Sequence, residues 1–101
     1  MDYARHTHMT REIITNILEG EGAEGRGGSF KIREEREATC FISAPGELMG
    51  IARVVRVELK EHYVSLATAK DERYAFAYED VLGFKLAAPA QGKERSAAGF
   101  R

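Results

Sequence analysis

Between residues 38 and 86, ATCFISAPGELMGIARVVRVELKEHYVSLATAKDERYAFAYEDVLGFKL, apolar and polar residues alternate in short runs, and nearly every such run in the chain falls here. Successive side chains of a strand point to opposite faces, so alternation of this kind broken by turn-forming residues demands a meander of half-buried antiparallel strands. The stretch therefore predicts a mainly β protein, a small barrel of five strands. The 101 residues leave room for one domain, and a domain of that size buries only about 60–65% of the surface its unfolded chain exposes. Residues before Met9 and after Ala87 lack periodic apolar spacing. The core must come from the central stretch and whatever packs on it.

Taken in order, Ala38, Cys40 and Ile42 share one strand face and Thr39, Phe41 and Ser43 the other. Pro45-Gly46 then suits a type II turn, which takes proline at its second position and glycine at its third. Residues 47–60 read as one very long strand whose alternation changes parity. Val55, Val57 and Leu59 share a face, yet upstream Arg53 falls on that face while Ala52 and Val54 fall on the other. One extra residue near 50–54, a bulge or sharp bend, resolves the conflict. Lys60-Glu61-His62 turns the chain into a strand with Val64 and Leu66 inward. Lys70-Asp71-Glu72 turns it again into Arg73 to Tyr78, where Tyr74, Phe76 and Tyr78 form an aromatic face. Glu79-Asp80-Val81 reads as a single helical turn before the closing strand, residues 82–86.

The flanks read differently. Residues 1–9 are a polar, frayed start. Residues 10–19 form a short amphipathic helix, with Thr10 as its cap, Glu12 in the first turn, and Ile13, Ile14, Ile17 and Leu18 on one stripe. Two to three turns do not hold alone in water, so this helix must dock. Residues 20–28, GEGAEGRGG, contain five glycines and read as a flexible linker. They include a literal G-x-G-x-x-G at Gly20, Gly22 and Gly25, but a dinucleotide site needs a strand before that motif and a helix after it, and here the order is inverted. The barrel domain spans 29–87, beginning with Ser-Phe-Lys-Ile, which reads as a short strand or strap with Phe30 and Ile32 on one side, and 88–101 is a disordered tail whose terminal Phe100-Arg101 has the form of a short linear ligand. The mixed-charge run Arg33 to Glu37 reads as a solvated turn, or as an anion clamp of Arg26, Lys31, Arg33 and Arg36.

No catalytic signature is present, so the residues point to binding and not to an enzyme. His62 has no nucleophile and orienting carboxylate to work with. Cys40 sits in an apolar run and reads as a buried thiol, which fits a reducing cytoplasm. Glu79 and Asp80 read as helix-end acids. His6 and His8 are two metal-ligand types on a mobile end, too few for a dedicated site, and no cofactor is expected. Formal net charge is −1, which gives no global pull toward nucleic acid. No window approaches the ~20 apolar residues of a membrane span.

With its N-terminal helix, G-x-x-x-G at Gly46 and Gly50, and an aromatic fourth strand ending Tyr78-Glu79-Asp80-Val81-Leu82, the stretch 38–89 resembles the Sm-like family, in particular its bacterial, Hfq-type RNA-chaperone branch. The same ending resembles the C-terminal SH3-like domain of RimP-type ribosome maturation factors. The resemblance spans about half the chain and implies a small SH3-like barrel that assembles into homo-oligomers through its fourth and fifth strands, here Arg73, Tyr74, Phe76 and Tyr78 with Phe84. It implies single-stranded RNA as partner, met at the loops Lys60 to Tyr63, which includes His62, and Tyr78 to Val81; there Tyr63 or Tyr78 can stack a base, and Arg53, Arg56, Lys60 and Arg73 can meet phosphates. The Hfq-type branch follows its strand-four tyrosine with Lys-His, whereas Glu79 and Asp80 stand here. The alternative is a protein-interaction or assembly adaptor. A third reading is a PilZ-like cyclic dinucleotide receptor. That family places R-x-x-x-R before its first strand, while Arg33 and Arg36 are one residue closer, and its D/N-x-S-x-x-G motif is missing.

Overall fold

A computed structural model of the chain describes residues 9–88. Helix α1, Arg11–Gly20, begins where the Thr10 hydroxyl accepts from the Ile13 N–H at 3.1 Å, and Glu12 stands in its first turn. That is the N-cap expected from the sequence. Its stripe buries Ile14 and Leu18 completely, so the helix is held by packing on the sheet, as its length requires.

Seven strands follow: β1 Glu24–Arg26, β2 Ser29–Lys31, β3 Glu37–Ala44, β4 Glu47–Leu59, β5 Tyr63–Thr68, β6 Arg73–Ala77 and β7 Val81–Ala87. The described residues are thus mainly β with one α-helix, but their sheet has seven strands where the sequence predicts five. The two additional strands are β2, where the sequence offered a short strand or strap outside the five, and β1, which lies in the glycine-rich segment. Gly27 and Gly28 lie at φ +66° and +87°, and two consecutive positive φ values are what a two-residue hairpin turn requires. The segment read as a linker is therefore in part a β1–β2 hairpin, Arg26 pairing with Ser29 and Gly25 with Phe30. Phe30, 3% exposed, anchors that hairpin in the core.

All pairings are antiparallel, and the sheet curls into a half-barrel. Along it the order is β1-β2-β4-β3-β7, with β5 also pairing β4 and β6 beyond it. β2 and β3 lie end to end along one side of β4, β2 against residues 56–58 and β3 against residues 47–54. Lys31 pairs with Arg56, the Ile32 N–H donates to the Val55 carbonyl at 2.9 Å, and Ala38 pairs with Val54. Residues 33–36 leave the sheet between them. The Pro45-Gly46 turn joins β3 to β4 as expected, Ala44 pairing with Glu47 and Gly46 at φ +78°.

The bend in β4 is real and doubled. From Ala38/Val54 to Cys40/Ile51 the register advances two residues on β3 and three on β4. From Val54/Thr68 to Arg56/Ala67 it advances two on β4 and one on β5. Each step inserts one residue into β4, and Arg53, at φ +58°, lies within the first. The inward set is consequently Ile51, Val54, Val57 and Leu59. Val55, assigned by alternation to the face of Val57 and Leu59, instead stands 41% exposed, because the second bulge resets parity again. Ala38, Cys40 and Ile42 on β3 and Val64 and Leu66 on β5 face the core as predicted. Each fully buried aliphatic side chain of this set contributes about 1.5–3 kcal/mol relative to exposure. The helical turn before the last strand is a single 3-10 turn, Tyr78–Asp80, one residue earlier than expected.

Candidate functional site

Six of the seven residues expected to meet RNA fall into two groups at opposite ends of β5. At one end the β4–β5 turn brings Lys60, His62 and Tyr63 beside Tyr78, whose hydroxyl donates to the Lys60 carbonyl at 2.6 Å. Burial pushes the Tyr78 phenol pKa up, with Arg11 pulling the other way. Tyr63 is 44% exposed. The basic side chains at this end face acids: Lys60 Nζ lies 3.4 Å from Glu58, and His62 Nε2 lies 3.8 Å from Glu61.

At the other end, Arg73 pairs with Ala67 on β5, and the Arg53 carbonyl accepts from Ala69 N–H at 2.9 Å. Glu72 dominates this end. It stands 3.2 Å from the Tyr74 hydroxyl, which donates to it, and its charge pushes that phenol pKa up. Arg56 belongs to neither group, its guanidinium donating to the Ser29 hydroxyl at 3.1 Å. The seven residues therefore do not converge on one surface.

Of the residues expected to mediate assembly, Arg73, Tyr74 and Phe76 lie on β6 and Phe84 on β7, whereas Tyr78, expected on the aromatic strand, lies in the 3-10 turn between the two. Among the described residues β6 pairs only with β5 and β7 only with β3. Tyr74 and Phe76 stack with ring centroids 6.1 Å apart and planes 9° from parallel, and both, with Tyr78 and Phe84, are half-buried against the core.

Of the four residues of the anion clamp, two are tied to acids. Arg33 donates from Nε and an Nη to the same Glu35 oxygen, at 2.8 and 2.6 Å. This contact raises the arginine pKa and lowers that of the carboxyl. Arg36 donates to Glu21 at 2.8 Å and to the Leu86 carbonyl at 3.3 Å, linking the end of α1 to β7. Both arginines nevertheless border a groove of about 410 Å³, opened where residues 33–36 arch away from β4. Ile32, Ala38, Val54, Val55 and Ala69 supply its apolar lining, and Lys31, Arg33, Arg36 and Arg53 its cations, with Glu34 and Glu37 beside them. Arg26 lies elsewhere, in a depression between α1 and the β1–β2 hairpin. Sequence reasoning named Lys31, Arg33 and Arg36 and put Arg53 in a different site. It missed Val55, Ala69, Glu34 and Glu37 as neighbours, since only the doubled bulge turns Val55 outward.

Cys40 is fully buried, and burial pushes its thiol pKa up to about 12, the inert state expected of it. Among the described residues no group of three or more His, Cys, Asp or Glu is placed to hold a metal ion, and no helix is long and apolar enough to cross a membrane. His6, His8, Phe100 and Arg101 lie outside the described residues. No family model, curated protein or solved structure matches the chain.

Proposed function

We propose that this chain is a non-enzymatic, cytoplasmic binding module of the Sm-like or SH3-like small-barrel kind that associates with itself edge to edge. The reading is supported by the pairing of β3–β7 in the order β7-β3-β4-β5-β6, with the second of these strands in the chain, β4, the bent one. The observation that carries the reading is the pair of strand edges. β6 and β7 each have one strand partner among the described residues, although only the Tyr78–Asp80 turn separates them in the chain. Unpaired N–H and C=O groups along an edge are satisfied when another strand adds to it, and the β6 edge of one copy can take the β7 edge of the next. Sedimentation equilibrium over a wide concentration range tests this. The expected mass is a multiple of 11.3 kDa, and a strict monomer at every concentration contradicts it.

A second reading, single-stranded RNA at the β4–β5 turn, is favoured by the exposed Tyr63 ring next to His62 and Lys60, since bases stack on exposed aromatics. Glu58, Glu61, Glu79 and Asp80 crowd the same end, which favours a protein partner over a polyanion. Binding of an RNA oligonucleotide that weakens steeply with salt would support the RNA reading. No binding at low salt would sink it.

A further inference from the structure

Besides the edges of β6 and β7, the first half of β4 leaves one side of its backbone open. Residues 47–51 pair with β3 alone, and β5 joins β4 only from Val54 onward. Pro45-Gly46 is a two-residue loop closed by the pair Ala44/Glu47, and the closing pair of such a hairpin is hydrogen-bonded. By alternation Glu47, Met49 and Ile51 then bond to β3, while Leu48 and Gly50, with Ala52 at the start of the bulge, turn their N–H and C=O groups to the open side. A cleft of about 230 Å³ lies between residues 50–53 and Lys70 and Glu72 of the β5–β6 turn, so that turn does not cover the edge.

We propose that this edge is an interface between two copies of the chain, β4 adding antiparallel to β4 across a two-fold axis at Gly50. The segment Glu47-Leu48-Met49-Gly50-Ile51-Ala52-Arg53 is complementary to itself in that register. Gly50 lies opposite Gly50 of the second copy, Leu48 opposite Ala52 and Met49 opposite Ile51, and at each end the Glu47 carboxylate meets the Arg53 guanidinium. Opposite residues of antiparallel strands share a face, and these do: Leu48, Gly50 and Ala52 belong to the outer face, Met49 and Ile51 to the core face. Met49 shows what the edge lacks. It pairs with Ile42, which is 2% exposed, yet stands 36% exposed itself, and Leu48 on the outer face is 62% exposed; an added strand covers both. Edges are ordinarily blunted by charge, but none stands between Glu47 and Arg53. A glycine inside a strand suits the close approach of another backbone. Among the described residues neither Glu47 nor Arg53 has an ion-pair partner. The Arg53 carbonyl is already taken by the Ala69 N–H, so the added strand ends at Ala52 and Arg53 contributes its side chain alone. This contact is isologous and closes at two copies. It is independent of β6-to-β7 addition, which uses other edges.

Charge exchange tests the register. Glu47→Arg alone and Arg53→Glu alone each set like charges opposite one another at both ends, and each is expected to weaken self-association through this edge by about tenfold or more. An equimolar mixture of the two variants restores opposite charges at both ends and is expected to associate as tightly as the parent chain by sedimentation velocity. Any β6-to-β7 contact is the same in all these samples, so the difference between mixture and single variants reads this edge only. Gly50→Cys gives a second measurement should a charge variant unfold. A Cβ at Gly50 meets only the Phe41 ring and the Thr39 methyl, at 3.5 Å, and directly opposite residues of a hydrogen-bonded pair lie about 5.5 Å apart at Cα, within disulfide range. Under mild oxidation Gly50→Cys is expected to form a covalent dimer well ahead of Glu61→Cys on the exposed β4–β5 turn, the native Cys40 being buried. A mixture that associates no more tightly than the single variants, single variants that associate like the parent, or Gly50→Cys crosslinking no faster than Glu61→Cys overturns the proposal.

Discussion

Arg53 lies at φ +58°, where the Cβ of an ordinary residue crowds its following carbonyl at a cost of about 1–2 kcal/mol. The bulge tolerates that cost because the flanking pairs Ala38/Val54 and Val54/Thr68 leave the chain no other course. Arg53→Gly should therefore be at least as stable as the parent in urea unfolding, while the β-branched Arg53→Val should lose about 1 kcal/mol or more. Cys40 gives a pH-dependent prediction. Its pKa is raised by folding from the ordinary 9.0 to about 12, so the stability tied to its neutral form is complete below about pH 9 and is lost as pH rises toward 12. Tyr74 and Tyr78, also raised, act in the same direction. Melting temperature should fall over that alkaline range, and less in Cys40→Ala. Below pH 9 the native thiol should resist alkylation until the protein is unfolded. Burial of Cys40 was legible from its place between Thr39 and Phe41. The left-handed Arg53 was not, because a parity conflict shows that a residue is extra without showing which one takes the strain.

Among the elements, α1 and the β3–β4 hairpin were legible from local chemistry: a capping threonine, an apolar stripe, a Pro-Gly turn. Thr10→Ala should cost about 1 kcal/mol, and Leu18→Ala, which empties a fully buried site, about 2–5 kcal/mol, both read from thermal or urea unfolding. The β1–β2 hairpin was hidden by its composition. Five glycines in nine residues signal conformational freedom, whereas Gly27-Gly28 use that freedom for one defined turn. The lesson of β4 is similar. One bulge was visible in the sequence, but the second was masked because Val55, Val57 and Leu59 satisfy a simple alternation that the register with β5 does not follow. With Val55 outside, the groove and its neighbours could not be assembled from spacing alone. Lys31, Arg33 and Arg36 were noticed for their charge, but the residues that line the cavity with them come from β4 and from Ala69.

Over the whole molecule, near-neutral charge and divided basic residues place the weight on assembly. The basic residues expected to form one RNA surface lie at both ends of β5, Lys60 and His62 against acids, while the β6 and β7 edges lie either side of one short turn. β6-to-β7 addition between copies would leave each strand of the sheet from β7 to β6 with a neighbour on both sides. The most direct measurement is an isotope-filtered NOE experiment on a mixture of labelled and unlabelled chains, which sees only contacts between molecules. Contacts from residues 73–77 of one chain to residues 81–87 of another are predicted. A monomer without such contacts, or an oligomer whose intermolecular contacts all lie away from β6 and β7, would contradict the edge-to-edge account.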